Sequence, residues 1–187
     1  AFRNLTYTDA QTHVTDKWNE LYIGIFRANQ VIENIANADP NNFEGESKNI
    51  IEAQARFLRA FFYFQVAHTY GKGVLHTSVP EKDADLNKSL SSIEEITNQV
   101  IIPDLTFAKD YLPMKWDDEN VGRATWGAAT SMLGKVHLYS GEHGDAAALF
   151  KEVIDSEIYK LVPNVMDNFT HENEFNDESI FEVAYSA

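Results

Sequence analysis

The chain of 187 residues contains no cysteine, which removes disulfides, thiol nucleophiles, cysteine-ligated zinc and acylation of a lipoprotein cysteine within these residues. Cationic side chains are few: 15 Lys and Arg stand against 29 Asp and Glu, a formal net charge of −14, and the pI is near 4.7. Such a surface cannot neutralise a phosphate backbone, so nucleic acid is excluded as a partner, and adsorption to anionic lipid is disfavoured. The charge itself reads most simply as solubility. Long apolar runs are also missing. The densest, residues 57–67, is interrupted by Arg59 and Gln65 and is too short to span a bilayer. No leader-peptide pattern, Gly-rich phosphate loop, Gly-x-Ser-x-Gly elbow or HExxH-type metal motif occurs.

What is present is a globular composition, 44% hydrophobic and 12% aromatic. The first helical pattern runs from about Thr15, a candidate N-cap, to Asn37, with Trp18, Leu21, Tyr22, Ile25, Phe26, Val31, Ile32 and Ile35 at helical spacing. A second runs from Ser47 to Tyr70 and stops at Gly71. It is apolar nearly all round, with Ala53, Ala60 and Ala67 as a small-residue track and Glu52 and Arg56 placed for an ion pair. Such a helix belongs in the middle of a bundle. Residues 71–90 read as a long irregular loop, and Ser92 with Glu95 as a capping box opening a third helix. Pro103 is expected to kink or divide that helix near Ile102. Thr125 caps a fourth helix ending near Gly141, and Asp145 is expected to cap a fifth ending near Ser156.

In that last pair, Leu133, Gly134, Ala146 and Phe150 sit at the offsets of a tetratricopeptide-type hairpin, where small residues let two backbones approach. The fold class expected is mainly α: helical hairpins over about 12–112 and 124–157, then a strand and loop region over about 158–187. The run Glu178 to Tyr185 reads as a terminal strand, giving a minor β fringe at that end. The strand pattern without a following partner, and a first residue that is not Met, lead to the expectation that the chain is a piece of a larger protein, incomplete at both ends.

Together these residues resemble the SusD/RagB family of surface nutrient-binding lipoproteins of Bacteroidetes. The resemblance is carried by Trp18…Tyr22…Ile25…Arg27-Ala28-Asn29, by Glu52-Ala53…Phe57-Leu58-Arg59-Ala60…Tyr63-Phe64…Tyr70-Gly71 and by Asp104-Leu105…Ala108…Leu112-Pro113. Gly122-Arg123-Ala124-Thr125, Leu133…Lys135-Val136…Leu138-Tyr139…Gly141, Ala146, Val153-Ile154, Tyr159…Leu161 and Ser179-Ile180-Phe181-Glu182-Val183 continue it in order. The family's proline after the second helix is absent from Tyr70-Gly71-Lys72-Gly73-Val74-Leu75, and Trp126 stands where the family often has Lys. The resemblance implies a non-catalytic glycan-binding scaffold. It implies delivery of oligosaccharide to a TonB-dependent transporter of the SusC type, and location on the outer membrane through a lipid anchor outside these residues.

Sugar recognition stacks aromatic faces on pyranose C–H surfaces while amides, carboxylates and Arg bond the hydroxyls. The ligand-binding candidates are therefore Trp116, in the acidic loop 114–120, and Trp126, at the start of the fourth helix. Trp116 is either a stacking platform or a lid over the hairpin seam. Arg3, Asn4 and Tyr7 join them because the resemblance places ligand contacts ahead of the first helix. Arg123 is expected to hold the turn or a neighbouring carboxylate such as Glu52, and Trp18 to be core. No cofactor is implied. The six histidines lack paired ligand spacing, three adjacent acids at Asp117-Asp118-Glu119 cannot all converge on one Ca²⁺, and no metal site is expected. The alternative function is a tetratricopeptide-like adaptor binding a peptide or protein in a helical groove. A helical glycan-active enzyme is the least favoured reading.

Overall fold

The computed structural model describes residue 8, residues 11–45 and residues 47–183. Its frame is a succession of antiparallel helices: α1 (Thr12–Asn37), α2 (Ser47–Tyr70), a composite helix over 93–111, α6 (Trp126–Tyr139) and α7 (His143–Asp155). The composite helix consists of α4 (Ile93–Ile96), a π-helical turn (Thr97–Ile101) and α5 (Ile102–Tyr111). A four-residue helix, α3 (Asp83–Leu86), lies between β1 (Lys72–Val74) and β2 (Leu90–Ser92). Chain-order neighbours pack in turn, α1 on α2, α2 on α5, α5 on α6 and α6 on α7. This stacking of sequential pairs is the tetratricopeptide-like arrangement that the spacing predicts.

Local chemistry explains most boundaries. Ser92 Oγ accepts from Glu95 N–H at 3.2 Å while Glu95 Oε2 accepts from Ser92 N–H at 2.7 Å, closing the capping box. Thr125 Oγ1 accepts from Ala128 N–H at 3.2 Å and caps α6. Pro103 divides its helix as expected. The five-residue turn ahead of it widens the backbone ladder, and the proline then occupies the first turn of α5, where its missing N–H leaves no bond unmade. Gly134 is small because α6 meets α7 there: a Cβ at this position would lie 2.7 Å from the Phe150 ring.

Three local expectations are corrected. Helix α1 begins at Thr12 after Gln11, so Thr15 lies inside it rather than capping it. Helix α7 begins at His143 after Glu142, and Asp145 sits in its first turn, where a carboxylate still opposes the helix dipole. The β fringe is not at the C-terminal end. Residues 178–183 form turns and bends with no ladder partner, and the strand pairing among the described residues is antiparallel β1 with β2, Lys72 opposite Ser92 and Val74 opposite Leu90. A strand needs a neighbour to bond, and alternation alone does not supply one.

The core runs along α2, where Ala53, Phe57, Ala60, Tyr63, Val66 and Ala67 are buried against Ile25, Ile96, Ile101 and Leu105. Trp18 is half-buried, packing on Tyr22 and edge-on to Tyr70 at the rim of this core.

A charged network crosses the apolar interior. Arg59, 6% exposed, donates from Nε to Asp104 Oδ2 at 2.6 Å and from Nη2 to Asp104 Oδ1 at 2.8 Å, and Asp104 is 1% exposed. Arg59 Nη1 donates to Asn29 Oδ1 at 2.7 Å and to Thr77 O at 3.2 Å. Arg56, paired with Glu52 at 2.7 Å, also reaches Asp104. A buried charge survives only when its hydrogen-bonding positions are filled. Here that requirement ties α1, α2, α5 and the segment after β1 to one point.

The same helices hold that segment in place. Val74 N–H donates to Tyr22 Oη at 2.6 Å, His76 N–H to Tyr63 Oη at 2.7 Å and Val79 N–H to Glu33 Oε1 at 2.7 Å, while Asn29 Nδ2 donates to His76 O at 2.7 Å. Side chains thus supply the bonds that a sheet would otherwise give. Burial pushes the Tyr63 hydroxyl pKa well up, against the opposing hydrogen bond to the His76 backbone.

Candidate functional site

The loop 112–125 carries Trp116 between α5 and α6, and backbone bonds fix its ends. Trp126 N–H donates to Pro113 O at 2.9 Å, and Asn120 N–H donates to Asp117 O at 3.0 Å. Asn120 Nδ2 also donates to Asp117 Oδ1 at 2.6 Å, so the acidic run closes a turn, with Asp118 and Glu119 exposed. Gly122 makes the reversal with φ +91°, a conformation that favours glycine, and the Phe175 ring stands over it.

Trp116 is half-buried and fixed at one end, since its Nε1–H donates to Ala124 O at 2.8 Å. The Arg123 guanidinium lies over its ring, 5.5 Å from the centroid. The expected partner Glu52 is taken by Arg56, and Arg123 makes a cation–π contact instead. No hydrogen bond runs from its guanidinium to a described residue, which leaves its N–H donors uncommitted beside an aromatic plate.

The opposite wall comes from far along the chain. Tyr159, Phe175, Asn176, Asp177, Ile180 and Phe181 complete a cavity of about 180 Å³ with Trp116 and Arg123. Tyr159 Oη lies 2.9 Å from Thr125 Oγ1, and burial raises its pKa against that bond. Phe181 anchors this wall to α2, its ring centroid 5.0 Å from that of Phe57 in an edge-on arrangement. Both oxygens of Glu182 are engaged, Oε1 by Phe175 N–H and Oε2 by Ser179 Oγ at 2.9 Å. Beyond Arg123 and Phe175 the depression continues into a second hollow of about 420 Å³ that reaches Gln54 and Leu58. The first cavity alone is smaller than the roughly 300–1,000 Å³ that encloses a drug-sized ligand. It suits the edge or end of a chain molecule lying across both hollows.

The predicted site residues are not all brought together. Trp116 is at the centre of the depression. Trp126 lines neither hollow: its carbonyl accepts from Thr130 Oγ1 at 2.8 Å, and it serves the start of α6. Arg3, Asn4 and Tyr7 lie outside the described residues. Sequence reasoning missed Tyr159, Phe175 and Asp177, which no local spacing links to Trp116. It also missed a convergence of His137, Glu142 and Asp145 at the α6–α7 turn, whose potential ligand atoms all lie within 4.8 Å of one another. There His137 Nδ1 is 2.5 Å from Glu142 Oε2. These three could hold a metal ion, although exposed acids at a helix start also serve the helix dipole. Among the described residues, no helix is long and apolar enough to cross a membrane.

Known proteins share this architecture. A SusD-like family profile, described as starch-binding associating with outer membrane, matches residues 2–138. SusD-like protein P25 of Formosa agariphila is 28% identical over 176 residues, covering 92% of this chain and 32% of its own length. A laminarin-binding SusD-like protein superposes with a TM-score of 0.83 at 32% identity, over 91% of this chain and 37% of that one. A SusD superfamily protein from Bacteroides vulgatus reaches a TM-score of 0.87 at 25% identity, over 95% and 38%. The chain thus spans about a third of the length of the proteins it matches. With the profile matching residues 2–138, well over half of the chain, the protein belongs to the SusD-like family.

Proposed function

We propose that this chain is the helical portion of a non-catalytic glycan-binding protein on the bacterial outer membrane, which delivers oligosaccharide to a TonB-dependent transporter of the SusC type. The observation that carries the binding reading is the depression at Trp116. An aromatic plate is fixed through its own N–H, ringed by the uncommitted donors of Arg123 and the Asp177 carboxylate, and opposed by Phe175. Stacking surface and hydroxyl-bonding groups in one place are what a pyranose needs. The kinship with a laminarin-binding protein supports a saccharide over a peptide. The non-catalytic reading rests on the acids of the first cavity. Glycoside hydrolysis needs two carboxyls at a set separation across the bond, and of the two described carboxylates lining the cavity, Glu182 is bonded through both oxygens to its own loop. Trp126, Arg3, Asn4 and Tyr7 remain proposed contacts of secondary rank.

The test is calorimetric titration of the intact protein with laminari-, malto- and xylogluco-oligosaccharides, alongside intrinsic tryptophan fluorescence. Saturable binding that falls at least about tenfold in Trp116→Ala supports the proposal. Binding of peptides but no saccharide would replace it with the adaptor reading, and turnover of a chromogenic glycoside would replace it with an enzyme.

A further inference from the structure

A different part of the molecule carries a second hollow of about 340 Å³, between α1 and residues 74–86. Its floor is a stripe of one helix: Trp18, Tyr22 and Phe26 follow one another at intervals of four, which places them on one face. Phe26 is 41% exposed, a large aromatic surface left open to the hollow. The facing wall is the segment held by Tyr22, Asn29, Glu33, Arg59 and Tyr63, from which His76 and Ser78 line the space, with Leu86 at 56% exposure beside them.

We propose that this hollow is a second carbohydrate-binding site, shaped for one uncharged sugar unit of a glycan. The proposal rests on the glycan-binding reading above and adds a site that does not involve Trp116. Three observations favour that occupant. First, no described lining residue is Asp, Glu, Lys or Arg, in a chain where charged residues make up 24%. The Trp116 depression, by contrast, includes Lys115, Arg123 and Asp177. A charged ligand would find no charged side chain among the described lining residues, whereas a neutral ring loses no ionic hydration on entering. Second, Trp18 Nε1, the His76 imidazole and Ser78 Oγ make no hydrogen bond to any described residue, so donors and acceptors for hydroxyls border an aromatic floor. Burial, followed by the nearby Lys88 charge, lowers the His76 pKa, which favours the uncharged ring. Third, the wall is held in place by its own protein contacts, since its backbone groups are bonded to side chains of two helices, Asn29 and Glu33 of α1 and Arg59 and Tyr63 of α2. A preorganised wall lowers the entropic cost of binding. The cavity volume falls within the range of sites that enclose small ligands.

The experiment uses the intact protein and three variants: Phe26→Ala, which removes the open part of the floor, Leu86→Trp, which fills the mouth from an exposed position, and Trp116→Ala. Each is titrated calorimetrically with laminarihexaose and maltohexaose as neutral probes and with an oligogalacturonate as the charged one. The His76 ring protons are followed by NMR. The expected result is residual neutral-oligosaccharide binding in Trp116→Ala that shifts the His76 signals. That binding should drop at least about tenfold when Phe26→Ala or Leu86→Trp is added, with no response to the oligogalacturonate. Thermal unfolding of Leu86→Trp and Phe26→Ala near the wild-type midpoint verifies that the fold is kept. If Trp116→Ala alone removes all binding while Phe26→Ala and Leu86→Trp bind as wild type, the second site does not exist and the first stands. Equal binding of oligogalacturonate in the hollow, or a peptide that shifts His76 where saccharides do not, overturns the assignment of the occupant. Absence of saccharide binding to the wild-type protein removes both readings.

Discussion

Replacing Asp104 by Asn tests whether one buried charge pair organises the helical stack. The change keeps the size of the side chain but removes its charge and turns one acceptor into a donor. Arg59 then faces an NH₂ group or a single neutral oxygen where two short charge-assisted bonds stood, at 2.6 and 2.8 Å. The guanidinium cannot turn to water, since Arg59 is 6% exposed, and only Asn29 Oδ1 and Thr77 O remain to it. Removing one partner of a buried pair costs about 3–5 kcal/mol, because the other charge stays behind without compensation. For a domain of this size each kcal/mol lowers the midpoint by about 2–4 °C, so the expected fall in Tm is about 6–20 °C. Urea unfolding followed by circular dichroism at 222 nm, with calorimetry for the midpoint, measures it. The double variant Arg59→Met/Asp104→Leu should lose much less than the sum of the two single changes, since it leaves no stranded charge. A loss under about 1 kcal/mol in Asp104→Asn would refute the reasoning. So would full additivity in the cycle. Hydrogen exchange at the amides of Val74, His76 and Val79 should accelerate together in the single variant, because the wall they belong to is bonded to the same network.

Further outcomes follow from the same geometry. Gly127→Ala pushes a methyl group into the Tyr159 ring; it should cost about 1–3 kcal/mol as an overpacked site and weaken saccharide binding at Trp116, both readable from one titration series at two temperatures. Thr125→Ala removes the α6 cap and should lower stability by about 1 kcal/mol, while Thr125→Ser, which keeps the oxygen, should recover most of it in the same urea assay. Burial lowers the pKa of His68 and of His76, aided by Lys135 and Lys88 respectively. The unfolded chain therefore takes up these protons first, and stability that is intact above the ordinary histidine value of 6.5 declines as pH falls through it toward the depressed folded values. Tm recorded from pH 8 to 5 should show that slope, and His68→Gln/His76→Gln should flatten it; an unchanged slope would assign the pH dependence to other groups.

Much of the helical frame is legible without coordinates because its signals lie within a few residues of one another. The limits of α2, the Ser92–Glu95 box, the Thr125 cap, the break at Pro103 and the Gly134–Phe150 approach all come from local spacing. Errors arose where a local pattern had two meanings. Thr15 and Asp145 are good capping residues that the chain places inside their helices, Asp145 in the first turn of α7 and Thr15 at the fourth position of α1. The run 178–183 carries apolar residues because Ile180 and Phe181 pack against the helical core, and among the described residues no neighbouring strand lies there to form a ladder. Trp116 stands out as a candidate because it is a tryptophan in an acidic loop, but the residues that line the same cavity, Tyr159, Phe175 and Asp177, carry no mark that ties them to it. Arg59 shows in the sequence only as an interruption of an apolar run, and nothing in the order of residues says which of 29 acids pairs with it.

The amino-acid order by itself determined which stretches are helical, which faces are apolar and that small residues must sit at the hairpin seam, because those properties depend on periods of three to five residues. The tertiary structure alone decided that Asp104 neutralises Arg59, that helix side chains hold residues 74–79 in place of a sheet, and that an aromatic plate and a distant loop enclose one depression. Those pairings join positions tens of residues apart. Desolvation and packing select them only once the helices are stacked, and nothing in the linear order distinguishes the chosen partner from its many chemical equals.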